Sequence, residues 1–149
     1  MSSRLLGMRS VTSQSVAALG SIDLGSVYRR YCKKNECGVP TFSNTSSTIS
    51  LLQQGIYHVT ATAVGTGTTA GVVTIQLLEN GVAVPAAFSS ETITTPATEL
   101  RTFVIDAYIL VDSDCLLGSP TTLAKTLSLQ NTGVAATFTS VVFNVEKVV

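Results

Sequence analysis

From about residue 40 onward, apolar side chains recur at every second position, the signature of strands that bury one face. Over residues 56–63, Tyr57, Val59, Ala61 and Ala63 share one face, and Ile56, His58, Thr60 and Thr62 share the other. Residues 72–78 repeat the pattern with Val73, Ile75 and Leu77 inward, then run into Glu79-Asn80-Gly81 before Val82-Ala83-Val84 resumes. Asn-Gly supplies the positive φ angles of a tight hairpin turn, so this stretch predicts two antiparallel strands joined there.

Two strands are apolar on both sides. Residues 102–111 place Phe103, Ile105, Ala107, Ile109 and Val111 on one face, and Val104, Tyr108 and Leu110 on the other. Residues 137–145 place Val141, Phe143 and Val145 on one side, and Phe138 and Val142 on the other. A strand of that kind needs cover on both faces: its own core and something else. Leu123, Leu127 and Leu129 form a further alternating run, ended by Asn131-Thr132-Gly133. Residues 15–24 and 42–52 are Ser/Thr-rich strand candidates, and residues 1–13 lack a period and read as an arm. Gly65-Thr66-Gly67, Gly71, Pro85, Pro96 and Gly118-Ser119-Pro120 read as loop punctuation. No stretch carries a capped, amphipathic helical pattern. About eight to ten short strands with regular turns predict one all-β domain, a sandwich or jelly roll.

Composition sharpens the picture. Of the 149 residues, 45% are hydrophobic and only 12% charged, with 17 Ser and 21 Thr in place of the missing charges. Coiled coils and charged disordered chains are excluded, since both need dense charge. A mean hydropathy of +0.41 is hard to reconcile with a solitary soluble domain. The doubly apolar strands resolve this if one face packs against another copy, which predicts a homo-oligomer. Net charge is zero, but residues 1–37 carry six positive and two negative charges while residues 38–149 carry three and seven. The expected organisation is therefore a basic arm with the first strand or strands over 1–37, and a β-sandwich domain over 38–149. Arg29, Arg30, Lys33 and Lys34 are the candidate residues for holding a protein partner. No apolar run is long enough for a membrane helix, and Leu5-Leu6-Gly7-Met8 is too short for the core of an export signal.

Candidate chemistry is sparse. One His and no Trp leave little general-base capacity, and no nucleophile elbow or phosphate-binding loop is present. The expectation is no enzyme, no catalytic residue, no cofactor and no metal. His58 has no acid or nucleophile near it in sequence and reads as a lone histidine. Cys32, Cys37 and Cys115 are an odd set with spacing unlike a zinc knuckle, and read as free thiols before a Cys32–Cys37 bridge. Asp112-Ser113-Asp114 reads as a solvated turn rather than a calcium site. Four clustered cations beside Tyr28 and Tyr31 are too few to predict nucleic-acid binding.

Gly55-Ile56-Tyr57-His58-Val59 followed by residues 73–81 resembles two adjacent strands of tumour-necrosis-factor-like jelly rolls. Leu127-Ser128-Leu129-Gln130-Asn131 and the run from Val141 to Val145 resemble the final strands of that family. The likeness covers residues 40–149. It is nearest to the heads of bacterial collagen-like surface proteins and to small structural proteins of tailed phages, and there is no Gly-x-y stalk. The resemblance implies a homotrimer about an axis lined by apolar and aromatic side chains, for which Tyr57, Tyr108 and Phe143 are the candidates. It implies a capsid decoration or cement protein on a tailed-phage virion, made in the bacterial cytoplasm. Its partners would be itself and the major capsid protein or another virion protein, with no nucleic acid or membrane. The alternative is a receptor- or glycan-binding knob of a tail fibre, or of a bacterial surface or spore-coat protein.

Overall fold

The computed structural model describes residues 4–32, 41–114, 121–122 and 124–149. These form β1 (Arg4–Ser10), β2 (Gln14–Val16), β3 (Ser26–Tyr31), β4 (Phe42–Asn44), β5 (Ile49–Leu51), β6 (Gly55–Gly67) and β7 (Gly71–Glu79). The chain continues through β8 (Val82–Ile93), β9 (Arg101–Val111), β10 (Ser113–Asp114), β11 (Thr121–Thr122), β12 (Lys125–Asn131) and β13 (Ala136–Lys147). One sheet runs β3-β1-β13-β6-β9, with β2 also on β13, and the second runs β4-β5-β12-β7-β8. A two-stranded ribbon joins β10 to β11. From β5 onward the chain crosses repeatedly between the two sheets, the path of a jelly roll.

The period-two pattern sets which face is dry. Tyr57, Val59, Ala61 and Ala63 of β6 are fully buried, as are Val73, Ile75 and Leu77 of β7. Leu127 and Leu129 of β12 and Phe103 of β9 complete the same core. Large and small side chains meet across strands: Ala63 pairs with Phe103 and Ala61 with Phe143. Phe103 meets Phe138 edge-on, with ring centroids 6.0 Å apart. Such interlocking brings the interior to crystal-like density. Tyr57 buries its ring and donates its hydroxyl to the Gln53 carbonyl at 2.6 Å. Burial pushes that phenol up to about 12, because the charged form would lose its water.

The hairpin predicted at Asn80-Gly81 is present. Their φ angles are +52° and +79°, and Glu79 faces Val82 across the turn. Asn80 also accepts the Thr126 amide at 2.8 Å, tying the turn to β12.

Several expectations need correction. The arm expected over residues 1–13 is a strand from Arg4 to Ser10: β1 lies between β3 and β13 inside the first sheet, and Leu6 and Met8 are fully buried. The stretch reads as irregular because Gly7 interrupts the apolar run at a place where a side chain has no room. The Tyr28 ring lies over it, and a Cβ there would sit 2.7 Å from that ring. The boundary expected at residue 37 lies outside the described residues. Residues 15–24 form a strand only at β2, since the chain turns at Leu19-Gly20, where Leu19 takes φ +64°. Residues 42–52 are a hairpin, β4 and β5, whose turn is held by the Thr45 hydroxyl accepting the Ser47 and Thr48 amides. Gly65-Thr66-Gly67 belongs to β6 and Pro85 to the edge strand β8, where a missing N–H is tolerated. Phe138 turns inward with Val141 because the β13–β6 register slips between Phe138 and Ser140. The second face of β13 is thus apolar only at half-buried Val142. Gly118-Ser119-Pro120 and Leu123 lie outside the described residues.

At the end of β12, Asn131 is fully buried, and its amide donates to the carbonyls of Val134 at 2.9 Å and Val16 at 3.2 Å. Its Oδ1 accepts the Gly133 amide at 3.1 Å. Asn131→Ala leaves these groups dry and unpaired, an expected loss of about 2–3 kcal/mol and roughly 5–10 °C in Tm. Thermal unfolding followed by circular dichroism measures it, and an unchanged Tm would contradict this account.

Candidate functional site

The outer face of the first sheet is built by the residues that the period leaves pointing away from the core. Across β6 and β9, Ile56 pairs with Leu110, His58 with Tyr108, Thr60 with Asp106 and Thr62 with Val104. Val104, Tyr108 and Leu110 are each more than half exposed, at 58%, 67% and 54%. With Ile56 they form an apolar strip along one edge of the sheet. Scattered exposed apolar residues are ordinary, whereas a group of this kind, interrupted only by Asp106 between Val104 and Tyr108, suits a contact surface. The edge of the second sheet adjoins it: Ser89 of β8 accepts the Val104 amide at 3.3 Å, and neighbouring Phe88 is exposed.

A polar cluster sits within the strip. The His58 ring lies against Tyr108 with centroids 4.8 Å apart and 23° between the planes. Its Nε2 meets Asp106 Oδ1 at 2.6 Å, and Glu146 is the cross-strand neighbour of His58 on β13. Further across the face, the Tyr28 hydroxyl donates to Asn144 Oδ1 at 2.6 Å. Asp106 was not foreseen as the partner of His58. Both have outward parity, so the signal existed, but it required the β6–β9 register, which sequence does not supply.

The predicted site residues divide sharply. Tyr108 stands on the outer face. Tyr57 and Phe143, expected beside it at a subunit contact, are fully buried between the two sheets of one chain. Each shares the parity of its own strand's core residues, so neither has surface to offer a partner. Arg29 and Arg30 are exposed on β3, an edge strand with Tyr28 and Tyr31 also exposed. Arg30 donates to Asn44 Oδ1 of β4 at 3.3 Å, which bridges the open side of the sandwich. Lys33, Lys34, Cys37 and Cys115 lie outside the described residues. Cys32 is disulfide-bonded, which corrects the expectation of a free thiol there. Among the described residues, no group of three His, Cys, Asp or Glu could hold a metal ion. No helix among them is long and apolar enough to cross a membrane.

With this geometry established, comparison with known proteins gives the class. No protein-family model matches the sequence, and no curated protein does. Solved structures do. The globular domain of zebrafish complement 1qA protein matches with TM-score 0.63 and 8% identity over 98% of both chains. Eiger TNF from S. frugiperda matches with TM-score 0.65 and 11% identity, over 99% of this chain and 92% of the other. PRD1 vertex protein P5 matches with TM-score 0.57 and 16% identity, over 98% and 97%. The chain has the tumour-necrosis-factor-like jelly-roll fold. At such identities the likeness establishes architecture, and function must be argued from the surface.

The far end of the outer face is closed by the turn between β8 and β9, which a single carboxylate organises. Glu99 Oε1 takes the Arg101 guanidinium at 2.6 Å, and Oε2 accepts the amides of Thr94 at 3.1 Å and Thr95 at 3.2 Å. The guanidinium first, and then the two amides, hold this carboxyl at about 2, well below its ordinary 4.5. A depressed carboxyl stabilises the fold fully above its unfolded value and loses that contribution as pH falls through the folded one. Glu99→Gln should therefore lower Tm at neutral pH, with the gap to wild type closing between about pH 4.5 and pH 2. Paired thermal melts across that range test it; a gap independent of pH would contradict the assignment.

Proposed function

We propose that this chain is a homotrimeric structural protein of a tailed-bacteriophage particle, which decorates or cements the capsid shell. The observation that carries the reading is the exposed row of Val104, Tyr108 and Leu110 beside Ile56. A chain with 12% charged residues and mean hydropathy of +0.41 has few other means of keeping such a row from non-specific association. In the trimer, the β8–β9 edge of one subunit packs on the outer face of the next, a head-to-tail contact that closes by rotation. The fold supports this, because the structures it resembles include PRD1 vertex protein P5.

Attachment falls to the exposed cations of β3, Arg29 and Arg30, with Lys33 and Lys34 following them in sequence. They meet an acidic patch on the major capsid protein or another virion protein. Three such contacts on one trimer act together, so modest single affinities combine into firm attachment. No bond is made or broken, and the site of action is the outside of the virion.

Two variants separate assembly from attachment. Val104→Asp with Tyr108→Asp should convert a species of three 15.5-kDa chains into single chains in sedimentation velocity at micromolar concentration. Truncating a central interface Tyr alone costs about 2 kcal/mol or more, roughly a thirtyfold loss of affinity. A wild-type monomer at that concentration would defeat the reading. Arg29→Glu with Arg30→Glu should keep the assembly intact while lowering the copies retained on purified particles in salt. Equal retention would remove β3 as the anchor. Removing residues 1–37 is unsuitable for this purpose, because it deletes β1 from the interior of the sheet.

A further inference from the structure

A cleft of about 550 Å³ opens where the ends of β6 and β13 meet the β8–β9 turn. Its walls include Thr66, Thr68, Thr98, Thr137, Thr139 and Leu100, and among the described residues no charged side chain lines it. Three of the hydroxyls have spent their hydrogens on main-chain carbonyls. Thr68 donates to Ala135 at 3.0 Å, Thr98 to Thr95 at 3.3 Å and Thr139 to Val64 at 3.3 Å. A hydroxyl has one hydrogen and two lone pairs, so what these three present to a ligand is acceptor capacity. Thr66 is more than nine-tenths buried, and its Oγ1 has no hydrogen-bond partner among the described residues. A buried hydroxyl left unpaired is costly and calls for a partner. Leu100, 57% exposed, supplies an apolar flank.

The chemistry selects against most ligands. An anion would face lone pairs with no cation in the lining, and a cation would find no counter-charge. A purely apolar ligand would strip water from the hydroxyls without replacing their bonds. A neutral molecule rich in O–H donors, with one C–H face to lay on Leu100, satisfies the acceptors of Thr68, Thr98 and Thr139 and the apolar flank together. The volume lies within the roughly 300–1,000 Å³ of small-ligand sites. We propose that this cleft binds a neutral saccharide: its hydroxyls donate to Thr68, Thr98 and Thr139, and its ring face covers Leu100. Recognition of an uncharged sugar is a property beyond the assembly role and does not depend on it.

The experiment titrates the full chain, isotopically labelled, with neutral hexose glycosides and disaccharides, and with sialylated and uronate counterparts. Amide shifts are read alongside sedimentation. Neutral sugars should shift the amides of Thr68, Thr98, Leu100 and Thr139 saturably, with no change in oligomeric state, and the acidic sugars should bind more weakly. Thr98→Val and Thr139→Val keep the shape and remove an acceptor, and each should weaken binding about tenfold while the protein still folds, since only one exposed hydrogen bond is lost. If Thr98→Val fails to fold, Thr98→Ser, which keeps the hydroxyl, should retain binding, and Thr139→Val carries the comparison. No saturable shift up to tens of millimolar sugar would overturn the proposal. So would tighter binding of the acidic sugars, undiminished binding by both valine variants, or protection of these amides by a neighbouring subunit that excludes sugar.

Discussion

A strand has two faces and a sandwich has one core, and that geometric constraint governs this molecule. The buried rows of β6, β7, β9, β12 and β13 fill the space between the sheets with Phe103, Phe138, Phe143 and Tyr57 set against Ala61 and Ala63. Once that interior is complete, every outward residue must face either water or another molecule. The chain carries few charges with which to meet water, so its outer faces are covered instead with threonine, serine and a limited number of apolar side chains. The strip on β9 and the hydroxyl-lined cleft are two local outcomes of this same shortage of charge.

The strip and the cleft occupy the two ends of one face, and the polar cluster of His58, Asp106 and Tyr108 belongs to the strip's end. Mixed composition of this kind suits a contact that must be specific as well as adhesive. Apolar side chains supply most of the attraction, whereas the His58–Asp106 hydrogen bond and a stacked ring penalise wrong registers, because burying polar groups unmatched is expensive. Glu99 and Arg101 perform a related task for the β8–β9 turn: they hold in place the wall on which Leu100 and Thr98 are mounted.

Much of the fold was legible because period-two alternation is a local property. β6, β7, β9 and the Asn80-Gly81 turn could be read directly, since parity and turn chemistry are written in adjacent residues. What required the structure was non-local. Tyr57 and Phe143 are aromatic and sit on the right strands for a contact surface, but their side of the sheet is fixed by the second sheet covering it. The slip at Phe138 is a departure of one residue from the period, invisible until β6 is laid beside β13. β1 escaped recognition because Gly7, chosen for closeness to Tyr28, breaks the apolar rhythm that would have announced a strand. The pairing of His58 with Asp106 and the convergence of Thr66, Thr98 and Thr139 likewise depend on residues distant in sequence that topology alone unites.

The placement of β1 against β13 has a consequence for biosynthesis. The two strands pair from Arg4 with Lys147 to Ser10 with Val141, so β1 must wait for β13. On the ribosome, the centre of that sheet stays vacant until β13 has been made, because non-local pairing must await its distant partner. The sheet that carries the β9 strip cannot take its finished form before β13 has emerged. The outer face is therefore completed late, by the pairing of two strands that lie far apart in the chain.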